Sequence, residues 1–260
     1  MTQSVRDHAT LPVYYESRAM QLKLNQNILE QLDAEFTNLD TVGASDAQVE
    51  KTKRDLSKME EVLGAPETID SLVKDIYYHY TAFRQQELTG KVMIVAFNRK
   101  IAMKIYYRLL AMRPDWANKV KVVMTGNNQD PEEWRPIVGN DVYRKQLAKD
   151  FKAENSELKI AIVVDMWLTG FDVPSLSTMY VYKPMAGHNL MQAIARVNRV
   201  FPEKEGGLIV DYIGIAQALK RAMKEYTKRD QQKFGDPDIA KTALLTFREK
   251  AEICADLLHG

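Results

Sequence analysis

The chain has 260 residues, with 36 Lys and Arg against 35 Asp and Glu and a single cysteine, Cys254. One cysteine excludes an internal disulfide framework and a cysteine-rich zinc site, and the histidines form no HExxH pattern. No apolar run is long enough to cross a membrane, and the polar start at residues 1–4 does not resemble a signal peptide. We therefore expect a globular protein of the cytoplasm that has no membrane partner.

The near-neutral total conceals two segments of opposite charge. Residues 30–70 carry eleven acids and four bases, whereas residues 91–121 carry eight bases and only one acid, Asp115. A locally basic face is what a nucleic-acid partner needs, whatever the net charge. The alternative is a solvated helix face without a partner.

The first ninety residues predict helices. Two narrow apolar stripes within residues 19–63 indicate an antiparallel helical hairpin, which is either a partner-docking arm or an ordinary insertion. A third stripe at helical spacing follows, made of Ile69, Leu72, Val73, Ile76, Tyr80 and Phe83.

After Gly90, apolar runs typical of buried strands alternate with helical patterns. The predicted strands are 92–97, 121–124, 158–164, 178–182 and 207–211, and the predicted helices start after Asn98 and near 142, 189 and 214. This alternation predicts an α/β fold, a parallel sheet wrapped by helices over residues 91–225. Ligands of such sheets bind beyond the carboxyl ends of the strands, yet no GxGxxG or GxxxxGK[ST] phosphate loop is present.

Two polar segments follow predicted strands. Residues 165–174 read DMWLTGFDVP, in which Gly170 permits close approach of a ligand and Asp172 can accept from a ribose hydroxyl; a plain turn is the alternative. Residues 189–199 read NLMQAIARVNR, in which Gln192, Arg196 and Arg199 share one helix face. Two arginines on one face suit a transferred phosphoryl group, whereas the alternative is an exposed basic helix.

Together and in this order, the two segments resemble motifs V and VI of superfamily-two helicases and translocases. Asp165, Gly170, Asp172 and Pro174 match the pattern TDxxxRGxDxP, with Thr169 where Arg is common. The second segment matches QxxGRxxR, with Ala195 in place of Gly, and the strand before Asn98-Arg99-Lys100 looks like motif IV. The resemblance implies the second RecA-like lobe of such a motor.

Four blocks narrow the resemblance to the motor (R) subunit of type I restriction endonucleases. They are LPVYYESR at residues 11–18, DMWLTGFD at 165–172, LMQAIARVNR at 190–199 and GLIVDYIG at 207–214. The family subunit carries a nuclease, two RecA-like lobes and a C-terminal helical region. The resemblance thus implies an excised fragment with three parts: a connecting segment and helical insertion (1–90), the RecA-like lobe (91–225) and the start of the helical region (226–260).

The resemblance also implies a mechanism. ATP with Mg²⁺ would bind between this lobe and the first RecA-like lobe. Arg196 and Arg199 would act as arginine fingers at that nucleotide site, and Gln192 would place them. Gly170 and Asp172 would contact the nucleotide. Backbone phosphates of double-stranded DNA would lie against Arg99, Lys100, Thr125 and Thr169. Other implied partners are the nuclease domain of the same parent chain and the modification and specificity subunits.

Two alternatives stay open: a non-catalytic DNA- or protein-binding RecA-like module, and the second lobe of another superfamily-two helicase. We expect the fragment alone to lack ATPase activity. The letters ELK at 157–159 fit half of a nuclease motif, but a structural role at a strand start is the favoured interpretation.

Overall fold

The computed structural model describes residues 11–18, 57–185 and 187–216, apart from the side chain of His188. The strands are β1 (Val13–Ser17), β2 (Val92–Ala96), β3 (Val120–Val123), β4 (Ile160–Val163), β5 (Thr178–Tyr182) and β6 (Gly207–Asp211). They form one sheet in the order β1-β6-β5-β2-β4-β3, and every pairing is parallel. The predicted α/β fold with a RecA-like parallel sheet is thereby confirmed.

Helices connect the strands. They are α1 (Pro66–His79), α2 (Arg99–Met112), α3 (Arg135–Val138), α4 (Asp141–Lys152) and α5 (Gly187–Val197), and residues 57–63 are also helical. Single turns of 3₁₀-helix lie at Pro114–Trp116 and Glu132–Trp134.

The apolar runs form the buried strands, as predicted. Every residue of β2, β4, β5 and β6 is buried, because helices cover both faces of these strands. The predicted bounds of β5 and β6 are confirmed, while β4 is shorter than the apolar run at 158–164.

Asparagine caps fix where two helices begin. Asn98 Oδ1 accepts from the Ile101 amide at 3.0 Å, and Asn140 Oδ1 accepts from the Tyr143 amide at 2.9 Å. Each bond satisfies an amide that the helix itself leaves unpaired, which stabilises a helix by about 1 kcal/mol. The predicted capping role of Asn98 is confirmed.

β1 was not predicted, and the expectation that the first ninety residues are all helical is wrong at residues 13–17. The strand is an edge strand that pairs only with β6, so most of its side chains are half-buried and no long apolar run marks it. Elements on both sides of residue 90 therefore share one sheet and one hydrophobic core. The division into 1–90, 91–225 and 226–260 stays a prediction.

The third apolar stripe forms α1 and the turn after it, but the prediction that every residue of the stripe is buried is wrong for one residue. Ile69, Leu72 and Ile76 are buried, but Phe83 is 65% exposed. Helix α1 continues into a π-helical turn at Tyr80–Arg84, in which the Gln85 amide donates to the Tyr80 carbonyl at 2.8 Å. The wider π-turn changes the helical register, and this change rotates Phe83 off the buried face.

A polar cluster ties β1 to α1. Arg18 donates from Nε and Nη2 to the two carboxylate oxygens of Asp75, at 2.6 and 2.5 Å, and from Nη1 to Glu16 at 2.7 Å. Glu16 also lies 3.3 Å from His79 Nε2. Glu16 and Arg18 of the block LPVYYESR thus bind the edge strand β1 to α1.

The same cluster reaches β5 and the end of β6. Tyr212 donates to Asp75 at 2.6 Å, and His79 Nδ1 is 2.8 Å from the Tyr180 hydroxyl. Asp211 accepts from Tyr15 and from the amides of three residues that follow it, Ile213, Gly214 and Ile215. Burial raises the pKa of Asp211, against these hydrogen bonds.

Three predicted segments lie wholly or mainly outside the described residues. Of the helical hairpin at 19–63, residues 57–63 are described, and there Met59 and Leu63 are buried in the core. The C-terminal helical region (226–260) lies outside the described residues, and of the helix predicted after Gly214 the structure describes only the start, at residue 216.

Candidate functional site

The loop that follows β4 carries the motif V residues, and we call residues 164–174 the motif V loop. Gly170 has φ +67°, and a Cβ added there would meet nothing within 4 Å. Glycine is therefore required by the backbone conformation and not by crowding. Asp172, Thr169 and Gly170 are all exposed.

Trp167 gives this loop its shape through a strained conformation. Its φ of +69° lies in the left-handed region, which costs a bulky residue on the order of 1–3 kcal/mol. The Trp167 ring stacks on Phe171, with centroids 4.1 Å apart, and on Phe151 of α4, at 5.4 Å. Aromatic pairs contribute about 0.5–1.5 kcal/mol each beyond burial, which is enough to offset the strain.

Arg196 joins the motif VI helix, α5, to the motif V loop. It donates from Nε to the Leu168 carbonyl at 3.1 Å and from Nη1 to the Phe171 carbonyl at 2.7 Å. Burial, together with the neighbouring charge of Arg199, lowers the pKa of Arg196. The two hydrogen bonds commit much of this guanidinium to the backbone of the loop.

Arg199 takes a different position. It is exposed, and its Nε lies 3.2 Å from Asp172 Oδ1, with the two side chains 44% and 55% exposed. An ion pair in water of this kind contributes about 0.2–1 kcal/mol, so both groups can change partners at little cost. The structure thus brings Arg196, Arg199 and Asp172 together, and it places Gln192 on α5, one turn before Arg196. The expectation that all three predicted residues share one helix face is wrong for Arg199, because α5 ends at Val197.

The predicted DNA contacts divide into two groups. Lys100, Thr125 and Thr169 are exposed, and Lys100 lies 2.9 Å from Glu60 Oε1 in the helical segment 57–63. Arg99 instead donates to the Thr125 carbonyl and pairs with Asp130. Arg99 and Thr125 are therefore neighbours, and Arg99 organises the loop after β3.

Several of the bases counted in residues 91–121 have hydrogen-bond or ion-pair partners within the fold. Distances from each base to its acceptor are 2.8 Å for Lys91 to the Ala153 carbonyl, 2.6 Å for Lys104 to the Gly64 carbonyl, 2.6 Å for Arg108 to Asp70, and 2.8 Å for Arg113 to Asp115. Glu60 and Asp70 belong to the acidic segment. The charge count along the sequence therefore overstates the positive surface.

Sequence reasoning missed two lysines that hold the loop at its ends. Lys183 pairs with Asp165, and its place directly after β5 was a usable signal. Buried Lys204 donates to the carbonyls of Pro174 and Leu176 at 2.9 and 2.7 Å, and burial lowers its pKa to about 8. No pattern in the sequence around Lys204 distinguishes it from a surface lysine.

Comparison with known proteins assigns the family. Residues 14–214 match the family model of type I restriction enzyme subunit R, domain 3. The chain belongs to this family. It is 44% identical over 224 residues to the MjaIXP protein of Methanocaldococcus jannaschii, described as a type I restriction enzyme endonuclease subunit, and 40% identical over 233 residues to the HindI endonuclease subunit of Haemophilus influenzae.

These alignments use most of this domain 3 sequence but a small part of each relative. They cover 85% and 86% of this chain, and 21% of each relative. A solved fragment described as an HsdR subunit from Vibrio vulnificus has the same fold, with a TM-score of 0.51 and 15% identity over 91% of this chain and 36% of that one. The family expected from the four sequence blocks is confirmed.

Within the described part of this R-subunit domain, no group of three or more His, Cys, Asp or Glu residues is placed to hold a metal ion. No helix in that part is long and apolar enough to cross a bilayer.

Proposed function

We propose that this chain is the second motor lobe of an ATP-dependent DNA translocase within a type I restriction enzyme. The observation that carries the proposal is the meeting of Arg199 and Asp172. These residues come from two separate motifs, Asp172 from the loop after β4 and Arg199 from the segment directly after α5, and both side chains are exposed.

In this proposal ATP and Mg²⁺ lie between this lobe and the first RecA-like lobe of the same parent chain. That lobe supplies the phosphate loop, the Mg²⁺ ligands and the carboxylate that activates water. Arg199 leaves Asp172 and donates to the γ-phosphate, where a fixed positive charge stabilises the charge that spreads over the phosphoryl oxygens. Asp172 is then free to accept from the ribose, beside Gly170.

Arg196 has a supporting part in the site. Its hydrogen bonds to Leu168 and Phe171 set the distance between α5 and the motif V loop, and its charge adds to that of Arg199. Gln192, on the same face of α5, helps to place the two arginines.

The duplex lies along Lys100, Thr125 and Thr169, with Arg99 shaping the loop that presents Thr125. Contacts to phosphates fix the position of DNA without reading its sequence, which is what a translocating motor requires. Recognition of the DNA site would belong to the modification and specificity subunits, and cleavage to the nuclease domain of the full cytoplasmic subunit.

The test is Arg199→Ala in the full subunit, assembled with its partner subunits. We expect DNA-dependent ATP turnover to fall by about 10³-fold or more, with DNA binding by the assembled enzyme retained. Lys74→Ala is the matched control, because Lys74 likewise forms an exposed ion pair, 2.7 Å from Asp70, and lies on α1, which carries none of the predicted site residues.

Near-normal turnover in the Arg199 variant would refute the motor assignment. That result would favour a non-catalytic binding module with a RecA-like fold. Loss of turnover in both variants would also count against the proposal, because it would show that removing an exposed cation elsewhere has the same effect as removing Arg199.

A further inference from the structure

We propose that Phe151 is a positioning residue for the candidate nucleotide site, which it holds in shape through Trp167. The proposal rests on the motor function proposed above. It assigns a role to α4, an element that carries none of the predicted site residues.

The starting observation is the backbone of Trp167. A bulky residue with φ +69° persists only where its surroundings fix it more strongly than the strain opposes it. The strain lies between Asp165 and Thr169, in the middle of the loop that the site depends on.

The surroundings that fix it are aromatic. The Trp167 ring stacks on both Phe171 and Phe151, at interplanar angles of 18° and 28°, and the rings of Phe151 and Phe171 lie 6.4 Å apart. Phe151 is fully buried. Phe171 belongs to the same loop as Trp167 and moves with it. Phe151 is the member of this stack that belongs to a different element, so it anchors the loop to α4.

The stack lies directly beside the groups that form the site. Trp167 precedes Leu168, and Phe171 precedes Asp172. The carbonyls of Leu168 and Phe171 are the two acceptors of Arg196. If Trp167 leaves the stack, the two carbonyls that bind Arg196 shift with it. The Asp172 carboxylate, which pairs with Arg199, shifts as well.

Helix α4, which carries Phe151, connects the loop after β3 to β4 along the chain. Helix α4 begins at its cap, Asn140, and the segment from Thr125 to Asn140 connects it to β3 on the side proposed to face DNA. Along the chain, Phe151 therefore lies between the loop after β3 and the motif V loop, in the last turn of α4.

The experiment compares three variants of the full subunit. Phe151→Leu keeps an apolar side chain but removes the ring, and Phe151→Tyr restores a ring. Leu147→Ala is the control, because Leu147 is a buried residue of α4 that is not part of the aromatic stack. Hydrogen exchange of amides 165–172 is measured without ATP, and kcat and KM for ATP are measured with DNA.

We expect Phe151→Leu to raise amide exchange in the loop and to lower kcat/KM by roughly tenfold to a hundredfold, since a misplacement of about 1 Å has effects of this size. Phe151→Tyr should recover most of the loss. Leu147→Ala should lower the unfolding temperature while it leaves loop exchange and kcat/KM within about twofold of the parent.

Unchanged loop exchange in Phe151→Leu would overturn the inference, and so would increased exchange with unchanged kcat/KM. An equal loss of kcat/KM in Leu147→Ala would reduce Phe151 to a general contributor to stability and would also overturn it. Failure of the motor proposal is recognised separately by near-normal ATPase in Arg199→Ala, while the exchange data still show whether Phe151 holds the loop.

Discussion

Replacing Arg18 by Met should destabilise the fold by about 2–3 kcal/mol. Removing one partner from a fully buried ion pair costs about 3–5 kcal/mol, whereas an exposed pair contributes about 0.2–1 kcal/mol. The Arg18 and Asp75 side chains are 23% and 14% exposed, which places the pair between these limits and nearer the buried one. Although burial raises the pKa of Asp75, the hydrogen bonds from Arg18 and Tyr212 hold it below its usual range.

The assay is urea and thermal unfolding of the 260-residue chain followed by circular dichroism. At about 2–4 °C per kcal/mol for a domain of this size, the melting temperature should fall by roughly 5–10 °C. The control is Lys74→Met, because Lys74 lies 2.7 Å from Asp70 but the two side chains are 52% and 32% exposed. A loss of about 0.5 kcal/mol or less is expected there.

A double variant tests the physical reason. Arg18→Met leaves the Asp75 carboxylate without its main partner, so Asp75→Asn added to it should recover part of the lost stability. The reasoning is refuted if Arg18→Met costs no more than Lys74→Met, or if the second substitution adds its full cost to the first.

Two further predictions concern acid stability and a turn. A hydrogen bond from His79, with a second from Arg18, lowers the pKa of Glu16 from 4.5 to about 2. The stabilising effect of the Glu16 carboxylate is therefore complete above about pH 4.5 and is lost as the pH falls toward 2. Glu16→Gln should have a lower unfolding midpoint than the parent at pH 7. If this difference in midpoint did not narrow below pH 4, the explanation would be contradicted. Gly139→Ala should cost on the order of 1–3 kcal/mol in urea unfolding, because φ is +62° and a Cβ would lie 2.2 Å from Tyr143. Gly126→Ala, with nothing within 4 Å, is its control, and an equal effect of the two would contradict the explanation.

The buried strands could be predicted because their sequences leave little choice. Runs such as VMIVA and IAIV are apolar at every position, which is typical of strands covered on both faces, and β5 and β6 have the predicted bounds. β1 could not be found in this way, since Tyr15 and Glu16 carry polar atoms whose partners, Asp211 and His79, come from distant parts of the sequence.

The candidate site was predictable in its composition and less so in its arrangement. The spacing of Gln192, Arg196 and Arg199 predicted one shared helix face, but α5 ends at Val197, before Arg199. Spacing also does not tell which guanidinium is held by backbone carbonyls and which is exposed. That difference depends on the path of the motif V loop. The path depends on Trp167 in a left-handed conformation, which is rarely adopted by a bulky residue.

The pairing of β1 with β6 decides where this domain can be divided. A version that began at residue 91 would keep five strands, but the edge of β6 would expose a row of unpaired amides and carbonyls beside buried apolar side chains. Such an edge is a template for pairing with another chain, and Asp211 would lose the hydroxyl of Tyr15. Residues 13–17 therefore have to be kept in any version of this domain in which the edge of β6 is to stay paired.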